Sequence, residues 1–310
     1  MTLVTTNPEE ASAIIRSGGI VAFPTETVYG LGADVFNEEA VAKIFEAKER
    51  PQDNPLIAHV ADLGQIEMLA KDIPAFAVML IERFFPGPLT LVLNKRSEVP
   101  MLVTAGLDSV GVRMPRHELA SEFIRACGTP VVAPSANLSG RPSPTTWQAV
   151  VEDLNGRIDC ILQGEATEIG LESTVVDCTG EQPVILRQGS VSLEDLRAVV
   201  SETVKTAEGS EDERKSPGLR HKHYSPRASV RVVEMVDDML ADGAYIGIDA
   251  PDVQLVFTKV VSDAEAYAHE LFEFFRECDR RGITTIYCQT VAEEGIGAAL
   301  MDRIRRAAYG

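Results

Sequence analysis

The first part of the chain alternates between short apolar runs and polar, helix-forming stretches. The segment NPEEASAIIRSGG predicts a helix, because Asn7 is suited to the N-cap and Gly18 to the stop. Short apolar runs at Gly19–Phe23 and Leu56–Val60 predict strands. Between them we expect a polar loop, PTETVYGLGADV, and a helix from about Glu38 to Glu49.

Strands and helices continue to interleave through the next 140 residues. Strands are predicted at TLVLN, VGVRM, TPVVAP, DCILQ, STVVD and PVILRQ, and helices near residues 63–71, 74–84, 118–127, 145–154 and 192–200. The last strands follow one another too densely for a purely alternating parallel sheet. The pattern therefore favours a mixed α/β layer.

A polar stretch separates this layer from a second α/β unit. EGSEDERKSPG, after Ala207, is poor in apolar residues, as linkers are. From Ser229 onward the strands VRVVEM, AYIGID, VQLVFT and ITTIYC are predicted, with helices near 236–241, at about 263–281 and in the last residues up to Ala308. We therefore expect a first domain at 1–206, a linker or lid at 207–229 and a small Rossmann-like α/β domain at 230–310.

The formal net charge of −18 is unevenly distributed. Residues 1–206 carry −12, residues 207–229 carry +1 and residues 230–310 carry −7. The long-range field of such a protein repels a phosphate backbone, which argues against a general polyanion-binding function. A phosphate group would have to meet a local cluster of positive charge.

The composition is that of a globular protein, with 45% hydrophobic residues. No apolar run of membrane-spanning length and no export signal is recognisable, so we expect a cytoplasmic protein without membrane contact. The five cysteines are scattered without C-x-x-C spacing. They are predicted to be reduced core residues rather than disulfide partners or zinc ligands.

Polar clusters interrupt the first domain at strand ends, where α/β sheets usually bind ligands. PTETVYGLG suits either a strand-to-helix turn or the capture of a small polar ligand. Lys48 and Arg50, at a helix end, either converge on one anion or complement the helix dipole while solvated. His59 closes an apolar run, where a histidine is more often packed than a ligand.

Two further clusters offer anion-binding groups. Residues 131–143 form a loop of hydroxyls, an amide and backbone N–H groups, which suits an anion-binding nest or a simple turn. The other cluster comprises EST at Glu172–Thr174 and RQGS at Arg187–Ser190. Arg113 lies in an apolar strand and needs an anionic partner or a route to solvent.

The sequence lacks four common catalytic or nucleotide-binding motifs, namely the nucleophile elbow, the zincin motif, Walker A and the dinucleotide fingerprint. This favours a reaction at nucleotide phosphates in which the protein acts by positioning the reactants and neutralising charge.

The segment SPGLRHKHYSPRA, residues 216–228, is basic and contains no acidic residue. Its two prolines restrict the backbone, which suits a segment laid along a surface as a lid over bound phosphates. An ordinary solvated linker and a metal site at His221 and His223 are the alternatives. If the segment is a lid, replacing Tyr224 with alanine is expected to cost activity more than stability.

In their order, these motifs resemble those of the YrdC/Sua family of threonylcarbamoyl-AMP synthases. The matching pieces are PTETVYGLG, the K-x-R pair, NPLIAH, the S-x-N at Ser135 and Asn137, ESTVVD, ILRQGS and SPGLRHKHYSP. The resemblance spans essentially the whole chain and implies a YrdC-like twisted mixed sheet with helices, followed by a C-terminal Sua domain. Glu49 departs from the pattern, because many relatives carry glycine between the lysine and the arginine.

The resemblance implies a nucleotidyltransferase. L-threonine, bicarbonate as co-substrate and ATP would give L-threonylcarbamoyladenylate, pyrophosphate and water, with Mg²⁺ on the ATP phosphates and no metal ligand from protein side chains. The product would pass to a downstream enzyme that modifies the adenosine next to the anticodon in tRNA. Direct tRNA binding would be weak or absent.

The resemblance also implies roles for individual residues. The threonine pocket would contain Thr27, His59, Arg113, the backbone of Ala133, and Ser173. The ATP side would contain Lys48, Arg50, Asn54, Ser109, Ser135, Asn137, Ser143, Arg187 and Tyr224, and the catalytic residues would be Lys48, Arg50, Ser135 and Asn137. The main alternative is an RNA-binding YrdC-like module without synthase activity, and the acidic first domain argues against it. A second alternative is a paralogue with lost or changed activity.

Overall fold

The computed structural model describes residues 1–206, 214–217, 224–234 and 242–309, and these form two β-sheets with helices packed on them. The strands of the first sheet are β1 (Leu3–Thr5), β2 (Val21–Phe23), β3 (Gly30–Asp34), β4 (Ile57–His59), β5 (Leu89–Asn94), β6 (Ser109–Arg113), β7 (Val131–Val132), β8 (Cys160–Leu162), β9 (Thr174–Asp177), β10 (Val184–Arg187) and β11 (Val204–Lys205). The accompanying helices are α1 (Pro8–Arg16), α2 (Glu38–Lys48), α3 (Leu63–Leu69), α4 (Ala75–Phe84), α5 (Glu118–Cys127), α6 (Trp147–Leu154) and α7 (Leu193–Arg197). The second sheet contains β12 (Ser229–Val233), β13 (Ala244–Gly247), β14 (Phe257–Val260) and β15 (Thr285–Gln289), with helices α8 (Ala264–Arg280) and α9 (Ile296–Tyr309).

The first sheet is mixed and the second is parallel. The order of the first is β1-β8-β2-β3-β7-β4-β6-β5-β9-β10-β11, with parallel pairs such as β4 with β6 and antiparallel pairs such as β5 with β6. The order of the second is β12-β15-β13-β14, and its paired strands all run parallel. The predicted α/β class, a mixed sheet followed by a small α/β unit, is confirmed. The boundaries 1–206, 207–229 and 230–310 stay a prediction.

The local signals explain several helix starts. The side chain of Asn7 accepts a hydrogen bond from the N–H of Glu9 at 2.9 Å, and the helix ends at Arg16, before Gly18. Asp263 caps α8 in the same way, through the N–H of Ala266 at 2.8 Å. The helix predicted near residues 236–241, most of residues 207–223 and the two histidines of the basic segment lie outside the described residues.

The structure differs from the sequence prediction in the loop PTETVYGLGADV, whose second half forms β3. This strand pairs antiparallel with β2 and β7. A Cβ atom at Gly32 would lie 2.6 Å from Val131 Cγ1 and 3.0 Å from the ring of Phe23, so only a glycine lets these strands pack this closely. Gly30 and Gly32 of this segment are therefore positions of close packing. The short β1 and β11 were also not predicted.

The second unit supports the loops of the first. The side chains of Val28 and Leu171 belong to the same apolar core as Phe272 and other residues of α8 and α9. At Gly170, where φ is +83°, a Cβ atom would lie 2.5 Å from the backbone of His269 on α8. The N–H of Gly170 in turn donates to Thr27 O, so α8 lies directly behind the PTETVYGLG segment.

No helix among the described residues is long and apolar enough to cross a membrane. The five cysteines are free and buried, as predicted. Burial raises the pKa of Cys127 and Cys160 to about 12, so these thiols stay protonated at neutral pH.

Candidate active site

A cleft lies at the carboxyl ends of β4, β6 and β10. His59, Arg113 and Arg187 are the last residues of these three strands and all face the cleft. Its full wall is Thr25, Thr27, Val28, Gly30, Arg50, Pro55, Ile57, His59, Arg113, Ala133, Pro134, Ser135, Glu172, Ser173, Arg187, Pro217 and Tyr224. Three buried arginines thus meet in one cleft of an acidic protein, which provides the local positive charge that a phosphate requires.

Arg113 is held by two neighbouring residues of the PTETVYGLG segment. Its Nη1 donates to Thr27 Oγ1 at 2.8 Å, and its Nη2 forms an ion pair with Glu26 Oε2 at 2.7 Å. This pair lacks hydrogen-bond geometry, and neither Arg113 Nη2 nor the two carboxylate oxygens of Glu26 have a hydrogen-bond partner among the described residues. Arg113 therefore keeps donor capacity for an anion in the cleft.

His59 lies beside Arg113, because parallel pairing of β4 and β6 sets these two residues opposite each other. Burial, assisted by the positive charge of Arg113, lowers the pKa of His59 to about 3. The imidazole is therefore neutral at physiological pH. Its Nδ1 lies 3.2 Å from Ile57 O.

Arg50 and Arg187 form the opposite cationic group. Arg50 Nη2 donates to the carbonyl oxygens of Asn54 and Pro55 at 3.3 and 3.2 Å, while its Nε has no hydrogen-bond partner among the described residues. Arg187 donates to Ser173 O through Nε and Nη2, at 3.1 and 3.0 Å. Burial lowers the pKa of Arg50 to about 10 and also lowers that of Arg187, yet both guanidinium groups remain charged at neutral pH.

Lys48 lies behind the cleft wall. It is 1% exposed, and its Nζ donates to the backbone carbonyls of Ser135 and Asn137. Within the same loop, Ser135 Oγ donates to Asn137 Oδ1 at 2.5 Å, and Asn137 Nδ2 donates to Arg141 O at 2.9 Å. The K-x-R lysine thus fixes the S-x-N loop, and Ser135 of that loop faces the cleft.

Ser143 reaches the cleft through Glu172. Its Oγ donates to Glu172 Oε1 at 2.5 Å, and Glu172 lines the cleft. On the next residue, Ser173 Oγ is hydrogen-bonded to Thr90 Oγ1 at 2.8 Å. Glu172 and Ser173 of the segment EST therefore line the cleft side by side, each held by a hydroxyl from another segment.

The basic segment contributes directly to the cleft wall through Pro217 and Tyr224. Arg187 Nη1 donates to Pro217 O at 3.1 Å. The ring of Tyr224 stacks on Phe272 at a centroid distance of 5.5 Å, and the residue has a left-handed backbone with φ of 66°. Tyr224 is 4% exposed, so this part of the segment is packed rather than solvated.

Most predicted site residues meet at this cleft. Thr27, Arg50, His59, Arg113, Ala133, Ser135, Ser173, Arg187 and Tyr224 line it, and Lys48, Asn54, Asn137 and Ser143 contact residues that do. Ser109 begins β6, about 13 Å of strand from Arg113 at its other end, and does not line the cleft. The roles implied by the resemblance include neither Glu26 nor Glu172. The position of Arg113 in an apolar strand indicated an anionic partner or a route to solvent, and the structure shows Glu26 as the anionic partner.

The described residues of the cleft wall do not form a cluster of metal ligands. Among the described residues, no group of three His, Cys, Asp or Glu side chains could hold a metal ion. Both oxygens of Glu172 already have partners, Ser143 and Arg303. These residues do not fit a resident Mg²⁺.

The chain matches two family models that together cover nearly all of it. Residues 13–189 match the Sua5/YciO/YrdC family model, described as "Telomere recombination", and residues 191–309 match "Threonylcarbamoyl-AMP synthase, C-terminal domain". The threonylcarbamoyl-AMP synthase of Pyrococcus abyssi is 46% identical, over 96% of this chain and 92% of that protein. The enzyme of the same name from Bacillus subtilis is 40% identical, over 99% and 95%.

Solved structures agree with these matches. The crystal structure of P. abyssi Sua5 complexed with L-threonine superposes with a TM-score of 0.91, at 42% identity, covering 99% of this chain and 97% of that one. Escherichia coli YciO, at 24% identity and a TM-score of 0.55, shares the fold over 61% of this chain.

Proposed function

This chain belongs to the Sua5/YciO/YrdC family and carries the C-terminal domain of threonylcarbamoyl-AMP synthases, and we propose that its cleft joins L-threonine, bicarbonate and ATP into L-threonylcarbamoyladenylate, with release of pyrophosphate and water. The observation that carries the proposal is the grouping of Arg50, Arg113 and Arg187 in one cleft. Arg113 contacts Thr27 of the predicted threonine residues, and Arg50 contacts Asn54 of the predicted ATP residues. Arg187 contacts Ser173 and therefore adjoins both groups. This division suits one amino acid and one nucleotide.

In this proposal, Arg113 binds the carboxylate of threonine. Its Nη2 has no hydrogen-bond partner among the described residues, and a guanidinium is the side chain best suited to a carboxylate. Thr27 and Ser173 supply hydroxyls, and neutral His59 adds no charge against the ammonium group of threonine. Because the N–H of Ala133 donates to Ile57 O at 2.8 Å, we assign the backbone contact of Ala133 to its carbonyl.

ATP would lie on the side of Arg50 and Arg187. These residues would neutralise the charge that develops as pyrophosphate leaves. Ser135 would face the phosphate oxygens from its loop, and Asn137 would hold Ser135 in place. Lys48 would act mainly by holding that loop, Asn54 by holding Arg50, and Ser143 through Glu172. Tyr224 would contact the nucleotide. Mg²⁺ enters this proposal as part of the MgATP substrate.

The reaction needs two bond-forming steps. The amine of threonine forms a C–N bond with the carbon of bicarbonate, and water leaves, which gives a carbamate. A carbamate oxygen then attacks the α-phosphorus of ATP, and the bond between the α-phosphorus and the pyrophosphate oxygen breaks. By holding the carboxylate and the phosphates, the three arginines would bring these reactants together, and such positioning accounts for much of the rate in transfers of this kind.

The proposal extends to the fate of the product. We propose that a downstream enzyme transfers the threonylcarbamoyl group to tRNA in the cytoplasm, and that this chain binds tRNA weakly or not at all. The net charge of −12 over residues 1–206 opposes extended contact with a nucleic acid. No feature of the described residues specifically favours the RNA-binding alternative.

A direct assay tests the proposed reaction. The protein is incubated with MgATP, bicarbonate and L-threonine, and pyrophosphate release is followed with and without threonine. We expect release that depends on threonine and bicarbonate together, and a product with the mass of threonylcarbamoyl-AMP. Release that ignores threonine, or none from folded protein, would refute the proposal.

A further inference from the structure

Arg303 belongs to α9 of the second unit, yet its side chain ends at the cleft of the first. It is completely buried. Its Nε donates to Glu172 Oε2 at 2.9 Å, and its Nη2 donates to Gln188 O at 2.9 Å. The guanidinium carbon lies 5.2 Å from the centroid of the Tyr224 ring, in cation–π geometry. One side chain thus contacts three segments that form or adjoin the cleft wall.

The contact continues into the nucleotide side of the cleft. Glu172 receives Arg303 on one carboxylate oxygen and the hydroxyl of Ser143 on the other. The three side chains therefore form a connected line from α9 to a residue that we assign to ATP. An ion pair buried to this degree is a weak source of stability, because the desolvation of two charges offsets their attraction. Its position beside the proposed phosphate site suggests a role in binding.

The charge of Glu172 explains what that role is. Glu172 faces the same cleft as Arg50 and Arg187, where we place the triphosphate. An uncompensated carboxylate there would repel a polyanion through a medium of low effective permittivity. Arg303 cancels this negative charge from behind. Asp302, 2.5 Å from Arg303 Nη1, is itself paired with Arg306 at 3.0 Å, so the four charges balance.

We propose that Arg303 is a positioning residue for the nucleotide half of the active site, which neutralises Glu172 and fixes it against Ser143. The second unit thereby completes the ATP site that the first unit carries. This inference rests on the proposed function, since it takes ATP as the ligand of that half of the cleft. It predicts that a substitution of Arg303 weakens the binding of ATP but not that of threonine.

The test compares substitutions by nucleotide affinity and by both Michaelis constants. The dissociation constant of MgATP is measured calorimetrically without threonine, and KM for ATP and for threonine by pyrophosphate release. We expect Arg303→Met to weaken ATP binding at least about tenfold, because it leaves Glu172 unpaired, with KM for threonine changed less than about twofold. Arg305→Met is the matched control, because Arg305 lies on the same helix and pairs with Glu293 at the surface.

Two further variants show whether the negative charge of Glu172 causes the loss of ATP affinity. Glu172→Gln removes the negative charge but keeps an oxygen that can accept from Arg303, and its amide N–H can donate to the hydroxyl of Ser143. It is therefore expected to bind ATP as tightly as the unchanged protein or more tightly. In Arg303→Met/Glu172→Gln the tenfold loss is expected to disappear. If Arg303→Met does not accumulate as folded protein, Glu172→Gln decides alone, and a tenfold weaker affinity for ATP in that variant overturns the proposal.

Other results also overturn it. Unchanged ATP affinity in folded Arg303→Met, or equal loss for ATP and threonine, would show that Arg303 only stabilises the fold. A failure of the proposed function is recognised separately, because then the unchanged protein itself releases no threonine-dependent pyrophosphate.

Discussion

Replacing Arg113 by methionine separates its proposed binding role from its structural one. The change removes the guanidinium that pairs with Glu26 at 2.7 Å and keeps most of the apolar length of the side chain. Both residues are buried, with 5% and 1% of their side chains exposed, so the lost interaction is scarcely screened by solvent. Two separate effects are expected, one on threonine binding and one on stability.

The magnitudes follow from the contacts. A hydrogen bond to a charged group contributes about 1.5–3 kcal/mol, so loss of one such bond to the threonine carboxylate raises KM about tenfold to a hundredfold. Removing one partner of a buried ion pair costs about 3–5 kcal/mol, because Glu26 is left as an uncompensated charge. With an unfolding entropy of about 2.1 cal/mol/K per residue, the 310-residue chain loses roughly 5–8 °C in Tm.

The assay pairs steady-state kinetics for threonine with thermal unfolding. Arg113→Met/Glu26→Gln is the decisive second variant, since it removes the stranded charge and is expected to recover most of the stability without recovering threonine affinity. Arg116→Met is the control, because Arg116 is exposed and pairs with the exposed Glu168. An unchanged KM for threonine in folded Arg113→Met would show that this guanidinium holds the PTETVYGLG segment and does not bind substrate.

The remaining predictions concern the phosphate side, the sheet and pH. Arg50→Met is expected to raise KM for ATP and lower kcat by at least about tenfold. The control Arg83→Met, at an exposed position of α4, is expected to leave both unchanged, and equal kinetics of the two variants would refute the phosphate role. Gly32→Ala should destabilise by about 1–3 kcal/mol in urea unfolding, whereas Gly180→Ala, where a Cβ atom meets nothing within 4 Å, should be nearly neutral. His59 has a pKa near 3 in the folded protein and about 6.5 in the unfolded chain. Its contribution to the free energy of unfolding is therefore complete above pH 6.5 and falls by up to about 1.4 kcal/mol per pH unit below that pH. His59→Gln should make stability less dependent on pH between pH 4 and 6.5.

The sequence predicts the strand ends of the cleft better than the contacts behind it. The apolar runs LIAHV and VGVRM, which contain His59 and Arg113, predicted two strands. In the structure the parallel pairing of these strands brings the two side chains together. Periodicity and motif order contain no such information for Arg303 and Glu172, which are separated by 131 residues and come from different units. Their pairing depends on how α9 docks on the first layer, and docking is a tertiary property.

Ser109, which the resemblance assigns to the ATP side, does not line the described cleft wall, and its role stays a prediction. It lies in the same strand as Arg113, but a strand extends about 3.3 Å per residue, so four residues carry it away from the cleft wall. Lys48 was similarly placed on the ATP side by its motif. In the structure its ammonium group faces the carbonyls of the S-x-N loop, which a linear motif does not reveal.

The packing of Tyr224 changes what is expected of the basic segment as a lid. Its ring is buried against Phe272 and beneath Arg303, so withdrawing it from the cleft would expose roughly 150–250 Å² of aromatic surface, at a cost of about 4–6 kcal/mol. Such a cost favours a fixed wall over a moving flap at this residue. Tyr224→Ala should therefore lower stability by about 3–5 kcal/mol in addition to activity, and it does not isolate the role of the ring in catalysis. Tyr224→Phe keeps the stack and removes only the hydroxyl. We expect its Tm to stay within about 2 °C of that of the unchanged protein, which corresponds to about 1 kcal/mol. A raised KM for ATP in this variant would show that the hydroxyl contacts the nucleotide. Unchanged kinetics would show that Tyr224 is only a packed part of the cleft wall.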